Sequence, residues 1–338
     1  MLHTPLCDRL GIAVPLVVAP FGPWSEVDLA VAAAEAGCLA SLGTAVRSVP
    51  ELEEQWRAVR ERTARPFVIN HTGRPFNESA FAATLDAAPA AISFHMGIPA
   101  DLIARAHDRG ITWLQTVADA ESAERALEAG ADVLIAQGGE AGGNGGWVAT
   151  MVLVPEVVDL AGDVPVVAAG GIADGRGIAA ALVLGAQGAS LGTRFLATTE
   201  MAIHPDWKER ICRAADVDAV KVPHAERVMP PFTLPQLGQP MAPRSLRTSL
   251  VDRLEHDPDN VDPATIGPEL LAAVRAGGGH ELLPFAGQSV ALVHDILPTA
   301  ELVTRLLTEA EDALTRVGAG AERPRSSSAS LGQTSSRP

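Results

Sequence analysis

Short apolar, β-branched runs alternate with longer alanine-rich stretches along most of the chain. The runs cover Val14–Pro20, Cys38–Gly43, Pro66–Asn70, Ala90–Gly97, Ile111–Val117, Ala131–Gln137, Val164–Gly170 and Gly188–Phe195. Several are apolar at consecutive positions, the pattern of parallel strands covered on both faces. The stretches between them read as amphipathic helices, among them Glu26–Ala36, Glu51–Glu61, Asp101–Asp108, Asp119–Ala129 and Gly175–Leu184. Asp119 and Asp174 stand where a side chain caps the free N–H groups of a helix start. Gly37, Gly110, Gly130 and Gly185 stand where helices end before the next run. Eight such units in series predict an α/β fold, a (β/α)8 barrel whose last helix lies near Thr299–Arg316. The rival, a doubly wound open sheet, needs fewer strands and a switch point.

The alternation stops between the eighth run and the last helix. Residues 198–284 are polar and proline-rich, with Pro230, Pro231, Pro235, Pro240 and Pro243 and a Gly277–Gly279 turn. This segment is expected to be a mostly helical insertion that covers the barrel mouth or builds a contact with a second copy. The barrel itself then comprises residues 1–197 and 285–317. Residues 318–338, rich in Ser, Arg, Gly and Pro, read as a disordered tail with no core to bury.

Composition narrows the class. Hydrophobic residues make up 47% and charged residues 20%, as in ordinary globular chains. A net charge of −15 argues against duplex nucleic acid and anionic membranes as partners. Cys7, Cys38 and Cys212 are far apart and show neither zinc spacing nor a disulfide framework, which suits a reducing cytoplasm. The apolar run at 12–21 holds two prolines and is far shorter than the roughly 20 residues of a membrane span.

Candidate chemistry gathers at the C-terminal ends of the runs, where barrel sites form. After the sixth run comes Gln137-Gly138-Gly139-Glu140-Ala141-Gly142-Gly143-Asn144-Gly145-Gly146. Glycines in such a stretch let the backbone approach a flat or charged ligand. After the seventh and eighth runs come Gly170-Gly171-Ile172 and Ser190-Leu191-Gly192-Thr193-Arg194. Backbone N–H groups at a helix start, with the Thr193 hydroxyl and Arg194, make a phosphate cradle at the positions where barrels use one. Gly175-Arg176-Gly177-Ile178-Ala179-Ala180 matches a dinucleotide fingerprint by letter only, since it sits inside a helix start. Lysine occurs only at Lys208 and Lys221, both in the insertion, which counts against Schiff-base chemistry.

Taken together, several of these segments resemble the nitronate monooxygenase (2-nitropropane dioxygenase-like) family of FMN-dependent barrels, relatives of the FMN-dependent enoyl-ACP reductases. The carrying motifs are Val17–Pro20, Phe67–Asn70, Ser93–Gly97, Ala136–Gly138 with Glu140–Gly143, Ala169–Ile172, Leu191–Phe195, and Ala286–Gln288 with His294–Pro298. The resemblance runs from about residue 10 to 200 and resumes near 284–313. It implies an FMN across the barrel mouth. Its phosphate would meet Gly170, Gly171 and Ser190–Thr193, including Leu191 and Gly192. Its ring and ribityl chain would lie against Ala19, Pro20, Asn70, Gln137, Gly142 and Gly143.

The departure is Asn144. The family has a histidine there, the base toward neutral nitroalkanes, and an amide cannot take that proton. It can still donate a hydrogen bond to a nitronate oxygen. His95 and His71, at the ends of the fourth and third runs, are the remaining titratable candidates. The resemblance therefore implies oxidation of a small-molecule nitronate with molecular oxygen, giving a carbonyl compound and nitrite. The rivals are an NAD(P)H-dependent reductase of an enoyl thioester or quinone, and a flavin-binding barrel with lost or repurposed chemistry.

Overall fold

The computed structural model describes residues 2–24, 26–229 and 242–321. Strands β1 (Leu16–Val18), β2 (Ala40–Gly43), β3 (Phe67–Thr72), β4 (Ala91–His95), β5 (Thr112–Val117) and β6 (Val133–Gln137) coincide with the first six expected runs. A short β7 (Gly143–Gly145) follows, then β8 (Val166–Ala169) and β9 (Gly188–Leu191) for the seventh and eighth runs. The eight long-expected strands form one parallel sheet in the order β1-β9-β8-β6-β5-β4-β3-β2. A parallel bridge from Val17 to Leu39 joins its two edges, so the sheet closes into a barrel.

Helices α1 (Pro5–Leu10), α2 (Val27–Glu35), α3 (Val49–Arg60), α4 (Glu78–Ala87), α5 (Ala100–His107), α6 (Ala120–Glu128), α7 (Thr150–Ala161) and α8 (Gly175–Val183) precede or connect the strands. The caps are those the sequence predicts. Asp119 accepts from the N–H of Ser122 at 2.8 Å and Asp174 from that of Gly177 at 3.1 Å. Helix α1 closes the bottom of the barrel. Its Leu6, Cys7 and Leu10 pack with the inward-facing Val17, Val68, Leu114, Val133 and Val167. The larger cluster lies between the outer strand faces and the helix ring, as alternate residues of a doubly covered strand require.

The last expected run ends early because Thr193–Leu196 coils into a helical turn, α9. Gly175, which opens the chance letter match to a dinucleotide fingerprint, is a packing residue. A Cβ there would meet the Ala310 backbone N at 2.3 Å, so glycine is what lets α8 lie against α13 (Thr299–Ala321). Helix α13 continues to Ala321, into the segment expected to be a tail; residues 322–338 lie outside the described residues.

Residues 198–284 hold α10 (Pro205–Arg213), α11 (Ser249–His256) and α12 (Pro263–Arg275). They also hold two strands that the sequence did not announce, β10 (Ala219–Lys221) and β11 (Ala242–Leu246). Prolines 230, 231, 235 and 240 fall outside the described residues. Strand β11 pairs antiparallel with β10 on one side and with β7 on the other, setting Pro243 opposite Asn144. Its own small core includes Val222, Val228, Leu250, Val251, Leu254 and Leu270. The glycine-rich stretch after β6 is thus held as a strand by residues about a hundred positions away.

Candidate active site

Above the C-terminal strand ends lies a cavity of about 1220 Å³. Ala19, Pro20, Asn70, His71, His95, Gln137, Gly142, Gly143, Asn144, Gly170, Gly171, Ser190, Gly192 and Thr193 all line it. Leu191 does not: it is fully buried in the outer core, and only its carbonyl, which accepts from Ala19 N at 3.0 Å, touches the rim. Arg194 departs as well. Its guanidinium donates to the Asp295 carbonyl at 2.9 Å and to Asp295 Oδ1 at 2.7 Å, which ties β9 to the approach of α13. It therefore serves the frame, and no longer counts toward an anion cradle.

Among the described residues that line the cavity, Gln137 Oε1, Asn144 Oδ1, His95 Nε2 and the indole nitrogens of Trp24 and Trp207 are buried without a protein partner. Buried polar atoms are ordinarily satisfied, so the first three, on the neighbouring β4, β6 and β7, point to a polar ligand. Asn70 is oriented differently. Ser93 Oγ donates to Asn70 Oδ1 at 2.9 Å, which leaves the amide NH2 as the available edge. Gly143, at φ +66, has nothing within 4 Å of where a Cβ would stand, and Gly170 and Gly171 sit at φ +102 and +73. Such backbone favours glycine and turns peptide groups toward the chamber. Thr193 Oγ1 accepts from Gly287 N at 2.8 Å, which leaves its own proton to donate.

The two histidines diverge. His71 Nε2 lies 2.9 Å from Thr84 Oγ1, and that hydroxyl already donates to the Ala80 carbonyl at 2.9 Å. His71 Nε2 is therefore the donor, and its Nδ1 lies 3.4 Å from Thr44 Oγ1. Burial pushes His71 down to about 4, so it is a neutral pin between β3 and α4. His95 is also pushed down to about 4, by burial first; a hydrogen bond to the Asn144 backbone opposes this and the Lys221 charge adds to it. It too is neutral at pH 7, but with a free Nε2 beside Asn144.

Lys221 and Arg244 reach this rim from the insertion, and their place in the sequence hides it. Lys221 Nζ donates to the carbonyls of Gly145 at 2.9 Å and Ala242 at 3.0 Å, and stands 5.4 Å over the Trp147 ring. Burial, and then the Arg244 charge, push it down to about 8 against the pull of Glu140. Arg244 is buried and donates to the Gly139 carbonyl at 2.8 and 3.2 Å. Glu140 caps α7: it accepts from Thr150 N at 2.9 Å and Thr150 Oγ1 at 2.8 Å. Trp147 stands outside the cavity, half exposed, whereas Trp24 and Met96 line it. Trp24 packs edge-on against Trp207 of α10 with centroids 4.8 Å apart.

Opposite, a buried carboxylate holds the β1 and β2 loops together. Glu26 accepts from the N–H groups of Phe21 and Gly43, and burial raises it to about 7. Arg47 donates to the carbonyls of Gly43, Pro23 and Trp24 around it.

The sequence profile of nitronate monooxygenases matches residues 71–309. The chain belongs to the nitronate monooxygenase family. It is 32% identical over 369 aligned residues to a nitronate monooxygenase of Paraburkholderia phytofirmans, covering 91% of this chain and 95% of that one. It is also 35% identical over 256 residues to a (3aS,4S,5R,7aS)-5-hydroxy-7a-methyl-1-oxo-octahydro-1H-indene-4-carboxyl-CoA dehydrogenase of Rhodococcus jostii, covering 75% of this chain and 69% of that one. Among solved structures, FabK from Thermotoga maritima superposes with a TM-score of 0.85 at 30% identity, over 95% of this chain and 100% of that one. Nitroalkane oxidase from Streptomyces ansochromogenes gives 0.77 at 28% identity, over 92% and 99%. The protein is an FMN-dependent oxidoreductase of the nitronate monooxygenase type. No helix among the described residues is long and apolar enough to cross a membrane.

Proposed function

We propose that the chamber holds FMN and oxidises a small, already ionised nitronate, with molecular oxygen as the second substrate. The observation that carries this is the trio of unpartnered buried atoms, Gln137 Oε1, Asn144 Oδ1 and His95 Nε2, set beside open glycine backbone. The residues suit the group. Gly170, Gly171, Ser190, Gly192 and Thr193 would take the phosphate through backbone N–H groups and two hydroxyls. Asn70, Gln137 and the Gly142–Gly143 backbone would hold the ring and ribityl chain, with Ala19 and Pro20 beneath. When bound, FMN supplies the electron-accepting ring. The protein's part is to bind, orient and exclude water.

Asn144 would donate its amide N–H to a nitronate oxygen, held in place by the β7–β11 pairing. It cannot remove a proton from carbon, and His95, pushed down to about 4, is a weak base for that task. An ionised substrate needs neither. Residues 198–284 would act as the lid, since α10 and α12 both contribute to the cavity wall.

A second reading, NAD(P)H-driven reduction of an enoyl thioester or quinone, is favoured by the size of the cavity. At about 1220 Å³ it exceeds the ~300–1,000 Å³ of most single-ligand pockets. The test is the visible spectrum of purified protein, then initial rates on freshly prepared nitronate and freshly dissolved nitroalkane, with anaerobic reduction by NADH and NADPH alongside. A flavin spectrum with a strong preference for nitronate supports the first reading. Equal rates on both forms, or reduction by NAD(P)H with no nitronate turnover, would overturn it.

A further inference from the structure

Outside the cavity, three metal-binding side chains meet where the insertion folds back on itself. His204 and Asp206 open α10, and His280 lies in the 3-10 turn Gly279–Glu281 that follows α12. One nitrogen of each ring and one carboxylate oxygen of Asp206 lie within 4.8 Å of one another. The two rings stack with centroids 4.4 Å apart and planes 13° from parallel. His204 Nδ1 stands 3.8 Å from Asp206 Oδ2. Spacing along the chain conceals the group, because His280 joins it only through the fold.

His280 is the residue that points to a ligand. It is 5% exposed, and its buried Nδ1 has no hydrogen-bond partner among the described residues. Buried imidazole nitrogens are ordinarily satisfied. Asp206 and Glu281 are the acids that act on the His280 ring. Arg210, the cation that opposes them, is held by the carbonyls of His280 at 3.2 Å and Arg247 at 2.9 Å. The side chains of His204 and Asp206 are 46% and 72% exposed, so they can turn toward the fixed His280. Bonds of about 2.0–2.2 Å set tetrahedral ligand atoms about 3.4 Å apart, and that turning supplies the closure from 4.8 Å.

We propose that His204, Asp206 and His280 form a site for a borderline divalent cation of the zinc, nickel and copper class. Two imidazoles and one carboxylate suit such ions better than magnesium or calcium, which take oxygen donors. Three protein donors leave the remaining positions to water on the exposed side. The ion fastens the turn after α12 to the start of α10. Both helices contribute to the cavity wall, α12 through Leu270 and α10 through Trp207. The His280 ring also stacks on Trp207, with centroids 6.5 Å apart and planes 13° from parallel. Bound metal therefore sets how the two lid helices sit against each other, whatever the flavin chemistry beneath them.

Calorimetric titration of the full-length, tag-free protein, first stripped with EDTA, tests this with Zn2+ and with Mg2+ as the contrast. The wild type is expected to take up one equivalent of Zn2+. His204→Asn keeps an N-cap acceptor while removing a ring donor, and Asp206→Asn removes the carboxylate. Each should weaken binding by at least about tenfold, since even partners beyond the ligands are worth roughly 10–100-fold. His280→Gln should do the same, and the two exposed variants decide the outcome if it fails to fold. His3→Ala, at the exposed His3–Asp8 pair, should bind as the wild type does. Zn2+ should also raise the thermal unfolding midpoint of the wild type but not of His204→Asn. No Zn2+ uptake by the wild type, equal affinity in wild type and His204→Asn, or a loss in His3→Ala as large as in His204→Asn overturns the proposal. Mg2+ binding with the same dependence on the variants overturns the class of ion.

Discussion

On the β8–β9 side of the mouth, the groups that line the cavity come from two short turns, Gly170–Ile172 and Ser190–Thr193, each next to its own strand. On the β6–β7 side, the groups around Asn144 are held by partners 76 and 105 residues away, Lys221 on Gly145 and Arg244 on Gly139. The first rim is backbone with almost no side chain committed to it. The second is a network in which a buried arginine, a lysine and a strand pairing hold the position of one amide. A cofactor phosphate common to many barrels suits the first construction; adjustable chemistry suits the second, because its geometry can change without disturbing the barrel.

The sharpest way to break that contrast is at Asn144. Asn144→His restores a titratable group on the network rim, and a general base is worth roughly 10²–10⁴-fold in a proton-transfer step. Turnover of neutral nitroalkanes should rise toward that range while nitronate rates change little, as steady-state rates on the two forms will show. Next is the network itself. Arg244→Ala removes two bonds to Gly139 and one to Ala219, leaving buried carbonyls unpartnered. A loss of about 2–4 kcal/mol is expected in denaturant unfolding, with nitronate turnover falling before flavin is lost. The opposite rim should respond in reverse. Gly171→Val places a β-branched residue at φ +73 and costs about 1–2 kcal/mol in backbone alone. Retention of FMN should fall by tenfold or more, read by absorbance after gel filtration, while the unfolding midpoint of the flavin-free protein drops only by the few degrees that backbone cost implies.

The smallest effect concerns pH. His71 and His95 both have folded values near 4 against the ordinary 6.5, so the unfolded chain binds protons that the folded one refuses. Their contribution to stability is complete above about 6.5 and is lost as pH falls toward 4. Glu26 works the other way: raised to about 7 from 4.5, its contribution is complete below 4.5 and lost as pH rises through 7. His95→Gln should flatten the acid limb of the stability curve and Glu26→Gln the neutral limb, as unfolding midpoints across pH 4–8 will show. Unchanged limbs would mean that these groups are not shielded as the structure has them.

The two histidines also mark the limit of reading a site from sequence. Both stand near the ends of barrel strands, and burial lowers both to about 4. Only the Thr84 and Thr44 hydroxyls, thirteen and twenty-seven positions distant, separate a satisfied ring from an open one. Lys221 was set aside on the sequence because it belongs to the insertion, yet its Nζ lies 3.6 Å from where a Gly145 Cβ would stand.

What the sequence determined by itself is whatever depends on neighbours along the chain. Consecutive apolar runs required covered parallel strands, Asp119 and Asp174 capped their helices, and glycines ended them and opened the turns after β8 and β9. These are short-range effects of backbone freedom and hydrogen-bond supply, so a local window contains their cause. The tertiary structure alone decided that the stretch around Asn144 is a strand edge, that Arg194 serves Asp295, and that Arg244 and Lys221 brace the rim. Those outcomes rest on satisfying buried charges and unpaired peptide groups, and the partner that satisfies them is chosen by proximity in space.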